Sequence, residues 1–420
     1  MNNLKQLKFW NFGGMYFFYF MIWALIFGFL PFWLHKTAHL DTSISGLVFS
    51  AMAVTALVLE PIYGVVQDKL GLKKYLFGFV VLCLLFVGPF VQFAFIPLLQ
   101  MNAIFGAIVG GAYLSLCLNG GVGVVEAYIE RSTRVNNYEY GHVRLFGSIA
   151  GGTAAFIGGI MFVQNPFSIF WASTCSAILL GVLLWALRVN KEDDGGVKSA
   201  AAKVEEPPVT KKSMMNVFKN KSFWGLCLII IGSATMFDVF DQQFPNYFAS
   251  FFGDQSEGEL VFSRITSVQI FMEAGFMVIT PWFINKIGAK NGLIIAGIIL
   301  FVRVLGSAFL TEVWMLSFWR LLAAIEMPLM LISIMKYITS VFDVRLSATV
   351  YMLAFNFAKQ IGITIFSSLM GVLYGAIGFQ SSYVVMSIII LAFVIAGGLI
   401  MASEKTHSQK AKQLGQELAS

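Results

Sequence analysis

Charge is scarce in this chain. Asp, Glu, Lys and Arg make up 12% of its 420 residues, against about 25% in soluble domains. A globular surface needs more charge than that to stay in water, which argues against a soluble enzyme. Cysteine is sparse too: Cys83, Cys117, Cys175 and Cys227 lie in apolar stretches without paired spacing, which excludes a disulfide framework and a cysteine metal site. Histidine is limited to His35, His39, His142 and His407, in a loop, at a helix start and in the tail. No zincin pair, nucleophile elbow or kinase signature occurs. The chain is therefore read as a non-enzyme with no cofactor and no metal. Its net charge of +6 does not point to nucleic acid, because no basic stripe with interleaved aromatics follows a soluble fold.

What is abundant is apolar. Hydrophobic residues make up 58% of the chain, with 42 Phe, and they come in long blocks. A membrane-spanning helix needs about 20 apolar residues to cross a hydrocarbon core about 30 Å thick. Six blocks of that length stand near 9–34, 43–67, 75–100, 103–130, 141–163 and 167–188. Six more follow near 221–248, 259–285, 290–310, 313–341, 346–375 and 379–402. The first has no small-residue cleavage site and is too long for a signal peptide, so it is expected to be a retained span. Between the sixes, Lys191, Glu192, Asp193, Asp194, Gly195, Gly196, Glu205, Glu206, Pro207 and Pro208 have the composition of a solvated linker. The organisation expected is a six-helix bundle over 1–188, a linker over 189–220, a second bundle over 221–402 and a polar tail over 403–420.

Cations set the orientation. Lys69, Lys73, Lys74, Arg131, Arg134, Lys286, Lys290 and Arg345 fall in loops on one side, with Lys5, Lys8, the linker and the tail. The other side carries Lys36 with Asp254, Glu257 and Glu259. Positive-inside bias then places both termini in the cytoplasm of a multi-pass protein in a bacterial-type inner membrane. The halves also echo each other. Gly64-Val65-Val66-Gln67-Asp68-Lys69-Leu70-Gly71-Leu72-Lys73-Lys74 follows block two, and a decayed Asn285-Lys286-Ile287-Gly288-Ala289-Lys290-Asn291 follows block eight. An internal repeat of this kind is common in transporters.

The informative residues are ionisable groups inside apolar blocks: Glu60, Glu126, Asp238, Asp241, Glu273 and Glu326, with Arg144, Arg303, Arg320, Lys336 and Lys359. Each costs about 2.5–3.5 kcal/mol at a helix centre facing lipid. Together that is on the order of 30 kcal/mol, more than a fold's net stability. They must pair or line water, and a shared polar cavity is the simplest arrangement. Some of them have plain structural readings. Glu126 with Arg144, and Asp238 and Asp241 with Lys359 and Arg320, can be interhelical ion pairs. Glu60 precedes Pro61 near an expected helix end, and Lys336 can snorkel to the interface. Gly120-Gly121-Val122-Gly123 follows a helix and lacks a Lys-Ser or Lys-Thr, so it reads as close helix packing rather than a phosphate loop. Gly147 and Gly151 have the spacing of another such contact.

The Gly64 to Lys74 run resembles the signature of the major facilitator superfamily. Pro97-Leu98-Leu99-Gln100, Val125-Glu126-Ala127-Tyr128-Ile129-Glu130, Asp238-Val239-Phe240-Asp241-Gln242-Gln243-Phe244, Lys336-Tyr337-Ile338-Thr339-Ser340 and Leu346-Ser347-Ala348-Thr349 resemble the oligosaccharide–proton symporters, the group of the lactose, raffinose and sucrose permeases. The resemblance implies an all-α major facilitator fold of twelve transmembrane helices in two pseudo-symmetric six-helix bundles. It implies that Glu126 and Arg144 grip the sugar, since a carboxylate and a planar guanidinium can each make two hydrogen bonds to vicinal hydroxyls. It also implies that Glu326 gains and loses the transported proton beside Arg303. Asp238 with Lys359, and Asp241 with Arg320, match charge-neutralising pairs, and Gly64, Asp68, Lys69 and Gly71 match the gating motif.

Three positions depart from the family. The coupling carboxylate of the lactose branch is replaced by Ile270, while Glu273 matches the sucrose branch, which leans the chain toward that branch, and joins the sugar and proton candidates. The family histidine is replaced by Ala323, and the aromatic that stacks on the sugar is replaced by Gly151, for which Trp23 is a candidate substitute. Asn119 completes the sugar-binding set. The expected activity is proton-coupled import of a disaccharide or small oligosaccharide, sucrose-, lactose- or melibiose-like, by alternating access, as a monomer in the lipid bilayer. The alternatives are a weakly coupled sugar uniporter or exchanger, motivated by Ala323, and a non-transporting membrane sugar sensor.

Overall fold

A computed structural model of the protein describes residues 7–136, 138–186, 217–342 and 346–403. Most of the linker, the tail beyond Ser403, Lys5 and Arg345 lie outside the described residues. All regular structure within them is helical. Ten helices are long and apolar enough to cross a membrane: α1 (Leu7–Lys36), α2 (Thr42–Leu70), α4 (Ala103–Val135), α5 (Tyr140–Gln164), α6 (Ser168–Ala186), α7 (Lys221–Asp241), α8 (Gln255–Ile287), α9 (Ala289–Phe309), α10 (Val313–Val341) and Thr349–Ile400. The pair Tyr75–Leu85 and Val87–Met101, bent by 44°, forms an eleventh span, α3.

The last stretch is 52 residues long. At about 1.5 Å per residue it would reach about 78 Å, far beyond one crossing. It breaks at Gly378, where φ is 77° and ψ 170°, a conformation open to glycine and closed to residues with a Cβ. The two arms are α11 (349–377) and α12 (379–400), which brings the spans to twelve. Side-chain caps start several helices: Asp41 accepts from Ile44 N at 2.8 Å, Asn102 from Phe105 N at 3.0 Å and Asn220 from Ser222 N at 2.9 Å, each satisfying a donor the helix leaves open. The seventh apolar block is divided. After α7 a short helix, Phe244–Ala249, begins afresh with Pro245 in its first turn, where the missing N–H costs nothing. Glu60 and Pro61 lie within α2 rather than at its end.

The described residues form two compact units. The first takes those within Met1–Glu205, Gln242–Phe271 and Ser367–Gly375, and the second those within Glu206–Asp241, Met272–Phe366 and Ala376–Ser420. In the first, small residues let backbones approach closely. A Cβ on Gly46 would run into the Ser367 carbonyl. Thr42 Oγ1 donates to Gly371 O at 2.8 Å, and the Ser50 and Ser368 hydroxyls meet at 2.8 Å, tying α2 to α11. Ser267 Oγ donates to Gly152 O at 2.8 Å, tying α8 to α5. Gly120 and Gly121 take the rings of Tyr63 and Tyr19, and Gly147 takes that of Tyr16. At the end of α1, Lys36 Nζ pairs with Glu259 Oε2 at 2.7 Å and donates to Ser256 Oγ at 3.1 Å. The core of the second unit includes Phe223, Leu226, Ile229, Leu293, Ala296, Tyr337 and Ile338.

The echo between the halves has a structural counterpart. Gly71 closes α2 at φ 60°, and Gly288 separates α8 from α9 at φ 88°. Soon after each, a lysine caps the end of a later helix. Lys74 Nζ donates to Leu184 O at 2.6 Å in α6, and Lys290 Nζ to Met401 O at 2.5 Å just past α12. A cation on the last carbonyls of a helix satisfies acceptors that the helix itself cannot.

Candidate functional site

Two polar clusters hold most of the charged candidates. The first lies among α1, α4 and α5. Tyr16 is buried on α1, and its hydroxyl donates to Glu126 Oε1 at 3.0 Å and meets the Tyr140 hydroxyl at 3.2 Å. The Arg144 guanidinium interacts with Tyr140, Tyr16 and Glu126. Tyr140 precedes Arg144 by four residues, so both side chains lie on one face of α5. No ion pair joins Glu126 to Arg144 directly, and the tyrosines stand as their polar neighbours. Glu126 is half-buried and Arg144 exposed, so each keeps hydrogen-bonding capacity that its partner does not consume.

The backbone explains this placement. α4 is interrupted at Leu118, where the Tyr19 hydroxyl donates to the carbonyls of Leu118 at 2.7 Å and Cys117 at 3.2 Å. The helix restarts at Asn119, which is half-buried. Phe20 stacks on Tyr16 at 4.6 Å, and Trp23 packs against Phe20 at 6.5 Å and Phe27 at 4.6 Å. Spacings of three and four keep these rings on one face of α1. Gly151 leaves room: a Cβ there would meet only Ile270, at 3.7 Å.

The second cluster lies among α7, α9, α10 and α11. Arg303 Nε donates to Glu326 Oε2 at 2.8 Å, and Arg303 Nη1 to Asp241 Oδ1 at 3.4 Å. Arg320 Nη1 donates to the same Asp241 oxygen at 2.9 Å. Lys359 Nζ pairs with Asp238 Oδ2 at 2.8 Å. The Arg303 and Glu326 side chains are 1% and 3% exposed. Arg303 packs over the rings of Phe237 and Phe240, each 4.9 Å from its guanidinium carbon. Glu326 Oε1 and Arg303 Nη2 have no hydrogen-bond partner, so this buried pair is held by one arm of each fork.

Irregular turns deliver these groups. In α10 the bonds Leu321 N to Phe318 O, Leu322 N to Trp319 O, Ala324 N to Leu321 O and Ile325 N to Leu322 O each join residues three apart. Arg320 and Glu326 are six apart, which puts them off one face at about 3.6 residues per turn and on one face at about 3.0. Ala323 is buried within this stretch, three residues before Glu326. Wide π-turns at Ile231–Thr235 and Met352–Phe357 precede Asp238 and Lys359, and such bulges often occur at functional sites. Thr235 Oγ1 donates to Lys359 O at 3.2 Å, holding the two helices together beside the pair.

The remaining candidates lie apart. Glu273 is half-buried on α8. Asp68 pairs with Arg131. Arg131 Nη1 donates to Gln67 O at 3.1 Å, and Gln67 Nε2 donates to Gly71 O at 2.9 Å, so the motif closes on itself around the glycine turn. Gly64 and Lys69 are exposed, and a Cβ at Gly64 would meet nothing. Lys336 Nζ donates to Asn285 Oδ1 at 2.5 Å and Pro281 O at 3.0 Å.

Buried ion pairs among the membrane-spanning helices of the described residues fit a polar path through a membrane protein, and comparison with known proteins decides the family. The family profile described as LacY proton/sugar symporter matches residues 1–413. The chain belongs to this family. Among its relatives, the melibiose permease of Enterobacter cloacae is 39% identical over 95% of this chain and 93% of its own length. The raffinose permease of Escherichia coli is 38% identical over 95% and 94%, and the sucrose permease of Escherichia coli 32% identical over 94% and 94%. Solved structures agree on the fold. A nucleoside transporter superposes with a TM-score of 0.78 at 14% identity, covering 94% of this chain and 99% of that one. A D-xylose–proton symporter superposes with a TM-score of 0.67 at 14% identity, covering 94% and 97%. As a symporter of this family the protein is a multi-pass membrane transporter of sugar and protons, not an enzyme.

Proposed function

We propose that this symporter imports a galactose-containing disaccharide or small oligosaccharide, with Glu326 as the proton carrier. The carrying observation is Glu326 itself: a buried carboxylate with one oxygen on Arg303 and the other without a hydrogen-bond partner. A proton added at Oε1 finds an open acceptor, and the charge it removes is the one that holds Arg303. Glu126 and Arg144, not consumed by each other, are proposed to hold the sugar hydroxyls, with Asn119 as a further polar contact, and Glu273 is proposed separately as a candidate for sugar binding and coupling. The rings of Trp23 and its neighbours supply an apolar face that suits the C–H side of a pyranose.

Melibiose, raffinose and lactose all contain galactose, and the permeases named for them are 38–39% identical to this chain, against 32% for the sucrose permease. Glu273 favours sucrose as the second reading. Uptake of labelled melibiose, raffinose, lactose and sucrose by cells expressing the protein separates the two: galactosides entering well ahead of sucrose supports the first, and the reverse order overturns it. We further propose a monomer working by alternating access in the inner membrane, with both termini cytoplasmic. The excess of Lys and Arg in the loops that share a side with the termini supports that orientation. Ala323, where a histidine would be expected, favours weak coupling as the rival reading.

A further inference from the structure

We propose that Asp241 is the second resting place of the Arg303 guanidinium, occupied while Glu326 carries its proton. Asp241 is then a positioning residue for coupling and not only a counter-charge for Arg320. The proposal rests on the assignment of the proton to Glu326.

The geometry begins with two guanidinium groups, Arg303 and Arg320, and two carboxylates, Glu326 and Asp241, whose charges cancel while Glu326 is ionised. Protonation forms an O–H bond on Glu326 and leaves the cluster with one uncompensated positive charge. Arg303 is 1% exposed, and a buried cation stripped of its partner is strongly disfavoured. It needs another anion within reach. From α7 it faces Phe237, Phe240 and Asp241, and from α10 it faces Glu326, with Arg320 donating to the same Asp241 oxygen. On the neighbouring α11, Lys359 is engaged by Asp238. Asp238 is therefore in use, while Asp241 already receives Arg303 Nη1 at 3.4 Å.

Closing from 3.4 Å to a charge-assisted contact of about 2.8 Å needs only a small pivot. The guanidinium carbon lies 4.9 Å from the centroids of both Phe237 and Phe240. Asp241 can accept a second strong bond because it is the open member of the cluster, 24% exposed against 1% for Arg303 and 6% for Arg320. Arg303 thus has two stations on two helices, and the proton decides which one it occupies. The stations are not equivalent: leaving Glu326 takes the guanidinium off α10 and onto α7, so protonation changes which helices it joins.

The test is the double variant Asp241→Asn/Arg320→Gln, which removes a neutral pair and so leaves the net field on Glu326 nearly unchanged. Labelled melibiose exchange and proton-gradient-driven uptake are measured in proteoliposomes across pH 5–9, beside Glu326→Gln. The proposal expects exchange to persist, since exchange needs no net proton release. Driven uptake should fall about tenfold at neutral pH, with its profile moved toward lower pH by about one unit, because the protonated state has lost its Arg303 station. A double variant with the parental profile and parental driven uptake overturns the proposal and leaves Asp241 as a counter-charge. If Glu326→Gln itself still accumulates sugar, the proton assignment fails and the proposal with it. If the double variant does not fold, Asp241→Glu keeps the charge but displaces the carboxylate by more than the pivot required: a shifted profile supports the second station, and an unshifted one overturns it.

Discussion

Lys36→Met should be among the most costly single changes at the ends of the helices. The Lys36 ammonium, on α1, is the ionic partner of Glu259, on α8, at 2.7 Å. Glu259 is wholly buried, its Oε1 already lacks a hydrogen-bond partner, and Lys36 is 27% exposed. Removing the cation strands a buried carboxylate, for which about 3–5 kcal/mol is typical. The partial exposure of Lys36 means water reaches part of this site, so about 2–4 kcal/mol is the better expectation. Glu259→Gln should cost less, about 1 kcal/mol, because Lys36 keeps Ser256 and has a path to solvent. The double variant should lie near Glu259→Gln alone, giving a coupling of about 2–4 kcal/mol. Thermal unfolding of the purified protein in detergent, followed by a thiol-reactive dye on the buried Cys117 and Cys227, gives all four corners of the cycle. If the two single losses simply add in the double variant, the pair contributes no coupling and the reasoning from burial is wrong.

Tyr16→Phe removes the hydroxyl that donates to Glu126. Loss of a hydrogen bond to a charged group, about 1.5–3 kcal/mol, should weaken sugar binding about tenfold or more by flow dialysis without altering expression, and unchanged affinity would separate Glu126 from the sugar. Lys359→Met and Asp238→Asn should each lower the amount of folded protein, and the combined variant should recover most of it in membrane immunoblots, because the pair is neutral as a unit. Gly71→Val forces a β-branched residue to φ 60° and should cost about 1–3 kcal/mol in the same thermal assay. A cost well below that would mean the turn relaxes into another conformation.

Features that are local along the chain were readable from it. The apolar blocks locate the helices because a span must be about 20 residues long whatever it packs against. The buried charges stood out because each is expensive unless compensated. Tertiary partners were harder to see. Tyr16 and Tyr140 are two tyrosines in a chain rich in aromatic residues, and nothing in the pattern around Tyr16 points to Glu126, 110 positions away. Tyr140 had one legible signal, its spacing of four from Arg144. The sequence paired Asp241 with Arg320 but gave no hint of Arg303, which reaches Asp241 from a third helix. Lys36 and Glu259 were assigned to one side of the membrane from loop charge alone, and their contact became visible only once α1 and α8 were placed. The tightened turn before Glu326 was invisible because Leu321 and Leu322 are good helix formers, and only the packing around them overrides that preference.

The central claim is that sugar and proton enter together and that Glu326 carries the proton. It is tested most directly by adding melibiose to an unbuffered, de-energised suspension of cells expressing the protein while recording external pH. The account predicts a prompt alkalinisation that disappears in Glu326→Gln, with labelled melibiose exchange still running in that variant. Melibiose entering the parental cells with no movement of external pH would contradict it.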